Sequence, residues 1–301
     1  MAIPEAQLQT WSNQGATITS TSTYNSIKAC IDNNNWNEEV RFNIYLQGSY
    51  RNFTNIRGDS DVDVVVEFSS VFYSNKYELP SEQLNEFNQY YSDGKFSLAS
   101  FKAAVIERLK DYYGENYVKV GNNSIKVLAN SGRLECDVIC CGEYREYNSF
   151  SKTNTSDYSK GIVFWTNETN EKVVNFPKLH FENGASKNIN CNSNYKPSIR
   201  IIKNIKSRLV SAGIIDSSLA PSYFIEGLLF NIPNSNFLNT THRARVLAIL
   251  NTFYNYDDSE LQMLICQNKQ RYLFGQSNQQ WDIEDCKQLR YQLIKYWNDY
   301  T

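Results

Sequence analysis

The sequence predicts an α+β protein in two parts: a mixed α/β lobe over residues 1–180 and a helical lobe over 181–301. Three observations lead there. Short β-branched and apolar runs bounded by turn residues fill the first half, above all Val62 to Phe68. Helical periodicity is interleaved with them, with Phe101, Val105 and Leu109 at four-residue spacing. Beyond about residue 195 the strand-like runs stop, and apolar positions recur at helical spacing to the end of the chain.

In order, residues 1–17 read as irregular, with Trp11 as an anchor, and Tyr24, Ile27 and Ile31 then mark an amphipathic helix. It ends near Asn33-Asn34-Asn35. Arg41 to Leu46 reads as a strand, followed by a Gly-Ser turn and a short helix, and Val62 to Phe68 is the second strand. Lys76 to Lys95 is polar and tyrosine-rich, a loop with a short helix. Ser97 to Tyr113 is a helix that stops near Gly114. Tyr117 to Val120, Ser124 to Ala129 and Arg133 to Cys140 are strands, the last two joined by a turn at Asn130-Ser131-Gly132. Ile162 to Phe164 and Val173 to Asn175 suggest a further hairpin. Glu182 to Tyr195, rich in Gly, Asn and Ser, reads as a connection. Pro197 suits the first turn of a helix. Helices follow over Ile199–Ser211, Ser222–Phe230, Thr241–Tyr254 and Asp285–Tyr300.

Composition excludes several classes. With 41% hydrophobic residues and 21% charged residues the chain is not disordered, and a net charge of −2 gives no strong nucleic-acid footprint. No run of 18 apolar residues points to a membrane helix, and the first residues lack a signal-peptide pattern. Seven cysteines without an export signal imply thiols in a reducing cytoplasm. Cys140-Cys141 with His180 and Cys191 lacks the paired spacing of a structural zinc site, and His180 and His242 read as ordinary structural residues.

The chemistry concentrates in Leu46 to Phe68. Residues two apart on a strand share a face, so Asp61 and Asp63 stand side by side at the mouth of an apolar strand. Two such carboxylates repel unless a cation or a proton neutralises one of them. A hard divalent ion takes carboxylate oxygens together with substrate phosphates. Gly48 and Ser49 offer close backbone approach and a hydroxyl to those phosphates. The stretch therefore reads as a nucleoside triphosphate site with a metal-binding Asp-x-Asp. Transfer by two metals calls for a third carboxylate, and Glu135 and Asp137 share a face on a neighbouring strand. Arg200 and Lys203, three apart on a helix, read by themselves as a solvated basic face.

Gly48-Ser49 followed by Asp61-x-Asp63 resembles the signature of polymerase-β-type nucleotidyltransferases. The longer run QGSY…TNI…SDVDVVV is similar to the bacterial CD-NTases, or SMODS domains, which make cyclic oligonucleotide second messengers in anti-phage (CBASS) signalling. The resemblance covers nearly the whole chain. It implies a polymerase-β-type catalytic lobe and Asp137 as the third acid, with Glu135 in reserve. From cyclic GMP–AMP synthase and its bacterial relatives it also implies that Lys203 and Ser222 hold the triphosphate and that Tyr223 stacks on a base. The segments IPEAQLQTWSNQGA and SYFIEGLLFNIPN resemble a branch associated with the G clade and guanine–adenine products.

The resulting expectation is a cytosolic synthase that joins ATP and GTP into a cyclic dinucleotide, with a cyclic trinucleotide as a further outcome. Two Mg²⁺ ions (Mn²⁺ as a substitute) would sit on Asp61, Asp63 and Asp137, and a nearby-encoded effector protein would sense the product. A nucleotidyltransferase acting on tRNA, a protein or a small molecule is the rival within the class. A catalytically inactive nucleotide-binding regulator is the rival outside it.

Overall fold

The computed structural model describes residues 3–58, 61–277 and 279–300. Its helices are α1 (Glu5–Ser12), α2 (Ile18–Asp32), α3 (Gly48–Asn52), α4 (Ser81–Tyr90), α5 (Leu98–Tyr113) and α6 (Pro177–Asn190), followed by α7 (Tyr195–Ser211), α8 (Ser222–Asn231), α9 (His242–Asn255), α10 (Asp258–Gln262) and α11 (Ile283–Asp299). The strands are β1 (Phe42–Leu46), β2 (Val62–Ser74), β3 (Val118–Val120), β4 (Ile125–Val127), β5 (Cys136–Tyr147), β6 (Tyr158–Trp165) and β7 (Lys172–Asn175).

The chain divides into two compact units. One comprises Thr17–Gln47 and Ser60–Pro177; the other comprises Met1–Ala16, Gly48–Asp59 and Lys178–Thr301. The helical unit resumes at Lys178, beside the boundary expected near residue 180. Two segments assigned to the first lobe, 1–16 and 48–59, instead belong to the helical unit. The reason is burial: Ile3, Leu8 and Trp11 join the helical core, and Asn52, Thr54 and Asn55 are buried as well.

In the sheet unit the strand order is β1-β2-β5-β4-β3, with β6 on β5 and β7 on β6. β2 and β5 are parallel and the remaining pairs are antiparallel. Alternation along β2 sends Val64, Val66 and Phe68 to one face, where Phe101 of α5 stacks on Phe68 at 4.6 Å. Asp63, Val65 and Glu67 take the other face. α5 starts at Ser97, whose hydroxyl accepts from the Ala99 and Ser100 amides. β2 runs on past Phe68 to Ser74 through a register shift between Phe68 and Phe72, and that irregularity hid its second half from a reading by alternation.

In the helical unit α7 is the central element, burying Ile199, Ile201, Ile202, Ile205 and Leu209. Around it lie α1, α8, α9 and α11. The first residues are therefore not irregular: α1 forms because Leu8 and Trp11, three apart, point into that core. The segment Glu182 to Tyr195 is likewise not a connection, because α6 and the start of α7 occupy it. Its propensity is poor, and tertiary packing overrides it. Gly184 lies so close to Gln267 that a Cβ would run into that amide. Lys187 is buried and donates to the Ile232 carbonyl at 2.8 Å and to Asn234 Oδ1 at 2.9 Å. Among the described residues no helix is long and apolar enough to cross a membrane, and none of the seven buried cysteines is in a disulfide.

Candidate active site

In the sheet unit the parallel register sets Asp63 of β2 opposite Asp137 of β5, with Asp61 exposed one step before the strand. Because both strands run the same way, the two carboxylates leave the same face at the same level. The Cys136 thiol registers all three acids: burial raises its pKa, and Asp63, Asp137 and Asp61 raise it further. The mouth is pinned from β1's side, where the Gln47 amide donates to the Asp63 carbonyl at 3.0 Å. From β4's side Ser124 Oγ donates to Asp137 Oδ1 at 2.8 Å.

Glu135, the reserve acid, is engaged elsewhere. Lys126 Nζ donates to its Oε1 at 2.6 Å, and that bond, with the Asp137 and Asp61 charges adding, raises the lysine pKa. Among the described residues no three His, Cys, Asp or Glu side chains are gathered closely enough to hold a metal ion. The donor chemistry of Asp61, Asp63 and Asp137 nevertheless fits a hard divalent cation, being all carboxylate oxygen at a partly open strand mouth.

In the helical unit Gly48 has φ 66°, left-handed backbone that suits glycine, and it opens α3 directly before Ser49. The turn closes by a 2.9 Å bond from the Thr54 amide to the Ser49 carbonyl. Phe53 is also left-handed, at φ 57°, and its carbonyl is held by Arg200 Nη1 at 2.5 Å. Arg200 Nε donates to the Ser12 carbonyl, and burial lowers the guanidinium pKa to about 10. Lys203 is 4% exposed and donates to the Thr54 carbonyl at 3.1 Å. Arg200 and Lys203 thus form no solvated face. They are the buried floor of the Gly-Ser turn, because the turn's carbonyls need donors that water does not reach.

Ser222 is the first residue of α8, after Pro221, and is half-buried. Tyr223 beside it is half-buried too. One ring face lies on His180 (centroids 5.0 Å apart, 23° between planes), and its hydroxyl accepts from Asn268 at 3.0 Å. Within the helical unit the turn and Lys203 come together directly, whereas Tyr223 joins them through His180 and Glu226. Sequence reasoning missed that pair, together with Asn52 and Thr54. One signal was available: Glu226 is the only charge in LAPSYFIEGLLF.

Residues 182–298 match the family model of the cGAS/DncV-like nucleotidyltransferase C-terminal helical domain. The chain is 39% identical to the cyclic nucleotide synthase CdnE01 of Staphylococcus haemolyticus over 100% of both chains. It is 42% identical to the cyclic UMP-AMP synthase of Rhodothermus marinus over 97% of this chain and 96% of that one. The solved structure of the R. marinus CdnE c-UMP-AMP synthase with Apcpp and Upnpp superposes with a TM-score of 0.89, at 40% identity over 99% of this chain and 97% of that chain. The family model and these relatives place the chain among the cGAS/DncV-like nucleotidyltransferases. The chain belongs to the CD-NTase family, and these relatives are cyclic nucleotide synthases.

Proposed function

We propose that the chain is a Mg²⁺-dependent nucleotidyltransferase that joins two nucleoside triphosphates into a cyclic dinucleotide. The observation that carries this reading is the register of Asp63 with Asp137, with Asp61 one step away, in a chain whose relatives are cyclic nucleotide synthases. Asp61, Asp63 and Asp137 are the residues that would hold the ions. When bound, such ions stabilise the triphosphate charge and lower the pKa of the attacking hydroxyl.

The chain's own groups bind and orient. Gly48 and Ser49 take phosphate oxygens with a backbone amide and a hydroxyl, Ser222 adds a second hydroxyl, and the buried charge of Lys203 lies behind the turn. Tyr223 offers its ring as a base platform, held from one side by His180. The oxygen of the 2′- or 3′-hydroxyl of one nucleotide forms a bond to the α-phosphorus of the other, and its proton passes to solvent water. The α–β bridging bond breaks, and its electron pair leaves with pyrophosphate. The linear product turns, and the same step closes the ring with a second pyrophosphate released.

Similarity to the R. marinus enzyme over nearly the whole chain supports a uridine–adenine product. The G-clade resemblance of two short segments supports guanine–adenine. In this reading the product is a second messenger of anti-phage defence in the cytoplasm, sensed by an effector protein encoded nearby. Family membership supports that role.

The test is incubation of the protein with all pairs of the four NTPs and Mg²⁺, with no other acceptor, followed by mass spectrometry and linkage-specific nucleases. A cyclic product containing U and A is expected. Product containing G and A selects the second reading. Nucleotide consumption only when tRNA, a protein or a small molecule is added would overturn the synthase reading in favour of another acceptor.

A further inference from the structure

Glu226 of α8 is 2% exposed, yet it carries a carboxylate into the core of the helical unit. Burial by itself raises a carboxyl pKa. Here the His180 ring, the Thr54 hydroxyl and the Lys203 charge outweigh burial and hold the group below the ordinary carboxylate range. Thr54 Oγ1 donates to Oε1 at 2.5 Å, Asn52 Nδ2 donates to Oε2 at 2.9 Å, and His180 Nε2 lies 2.7 Å from Oε2. An ionised carboxylate only accepts, so Nε2 donates to Glu226, and the buried Nδ1 has no hydrogen-bond partner among the described residues. The ring is therefore fixed at one nitrogen by Glu226 and across its plane by Tyr223.

Those partners are not scattered through the unit. Asn52 and Thr54 close the turn that begins at Gly48-Ser49, and Tyr223 is the aromatic read as a base platform. A buried charge that served only stability would be poorly used, because apolar groups of the same volume hold a core at least as well. We infer that the His180–Glu226 pair is a positioning centre. It sets the Gly48-Ser49 turn through Asn52 and Thr54, sets Tyr223 through the imidazole face, and itself touches no substrate. Phosphate and base are then met by two elements held in one frame, which removes the ordering cost that binding a triphosphate would otherwise carry. The inference rests on the nucleotidyltransferase reading above and adds the residues that organise its substrate contacts.

The test uses the full-length protein with Thr54→Val, Thr54→Ser and Glu226→Gln. Melting temperature without nucleotide, KM and kcat for the preferred NTP pair, and the nucleotide-induced thermal shift are read for each. Thr54→Val keeps the side chain's shape and removes the hydroxyl. It is expected to raise KM roughly tenfold with kcat within about threefold, as the loss of one charge-assisted hydrogen bond in a binding frame predicts. Thr54→Ser restores the hydroxyl and should return KM to within about twofold of wild type. Glu226→Gln should raise KM further and shrink the thermal shift given by ATP·Mg²⁺. If Thr54→Val and Glu226→Gln only lower the melting temperature and leave KM unchanged, the positioning role is overturned and the network is structural. A raised KM that Thr54→Ser fails to rescue also overturns it. If wild type makes no product from any NTP pair and shows no shift with ATP·Mg²⁺, the nucleotidyltransferase reading falls, and this inference falls with it. Should Glu226→Gln not fold, the two Thr54 variants carry the test alone.

Discussion

Lys126 gives its hydrogen bond to Glu135 at 2.6 Å, although in the β4–β5 register the residue opposite it is Asp137. The reserve acid is thereby tied to a lysine, while Asp137 lies level with Asp63. Asp61→Asn, Asp63→Asn and Asp137→Asn should each cut turnover by roughly three orders of magnitude or more, with melting temperatures near wild type. Glu135→Gln should keep turnover within a few-fold. Charges that act as one clamp are lost together, so Asp61→Asn/Asp63→Asn should be scarcely worse than either single variant. Steady-state rates of pyrophosphate release check all five, and a normal rate in Asp137→Asn beside an inactive Glu135→Gln would reverse the assignment.

At residue 48 a side chain is doubly unfavourable. The backbone is left-handed at φ 66°, which costs an L-residue about 1 kcal/mol, and a Cβ would obstruct approach to phosphate. Gly48→Ala/Ser49→Ala is expected to abolish the thermal stabilisation given by ATP·Mg²⁺ and to lower the melting temperature by a few degrees. An undiminished shift would make the turn purely structural.

Tyr223 has two distinguishable functions. Its hydroxyl accepts from Asn268 and its ring lies on His180. Tyr223→Phe loses one hydrogen bond, about 1 kcal/mol of stability, and should leave KM nearly unchanged. Tyr223→Ala would also remove the proposed base–aromatic stack, worth about 1–3 kcal/mol, so KM should rise by one to two decades and more linear product should escape before the ring closes. Kinetics with the linear-to-cyclic ratio separate the two. A lower melting temperature with unchanged KM would assign Tyr223 to the core alone.

Glu143 supplies a pH test in the sheet unit. Burial raises its carboxyl pKa, but Lys160 at 2.5 Å and Arg145 at 2.7 Å lower it below the usual value, and Lys160 also faces Glu67 at 3.3 Å. A carboxyl depressed in the folded state contributes stability that is fully present above its unfolded pKa of about 4.3 and is lost as pH falls through the folded pKa. Glu143→Gln should therefore cost roughly 2 kcal/mol at pH 7, below the figure for a fully buried pair because Lys160 is 38% exposed. Its gap from wild type should narrow as the pH is taken from 6 to 3. Thermal melts across that range read it, and a gap that stays constant would remove the charge pairing from the account.

Much of this was legible in the sequence because it rests on short-range pattern. The valines of β2 alternate with Asp63, the α5 apolar stripe has helical spacing, and Ser97 is a recognisable cap. What the chain hid depends on partners far away. α6 looked like a linker because Gly184 and its asparagines are poor helix formers, and only the close approach of Gln267 explains the glycine. Arg200 and Lys203 looked solvated because their acceptors, the carbonyls of Phe53 and Thr54, lie nearly 150 positions earlier. In the candidate site the acids were visible as a motif. The Glu226–His180 pair was not, since a lone Glu in an apolar run carries no spacing rule.

The segment Gly48–Asp59 belongs to the helical unit, but the chain on either side of it belongs to the sheet unit. This affects how the protein is made. Synthesis runs from the N-terminus, so the turn emerges long before Glu226, which lies 174 positions after Asn52. The sheet unit has all its residues by Pro177, whereas α1 and the turn must wait for the chain beyond Lys178. A cut at residue 180 yields a C-terminal fragment missing α1's Leu8 and Trp11 and left with a buried Glu226 that has lost Asn52 and Thr54. The helical half matures last, and an unfinished chain lacks the partners of Asn52 and Thr54 behind its Gly48-Ser49 turn.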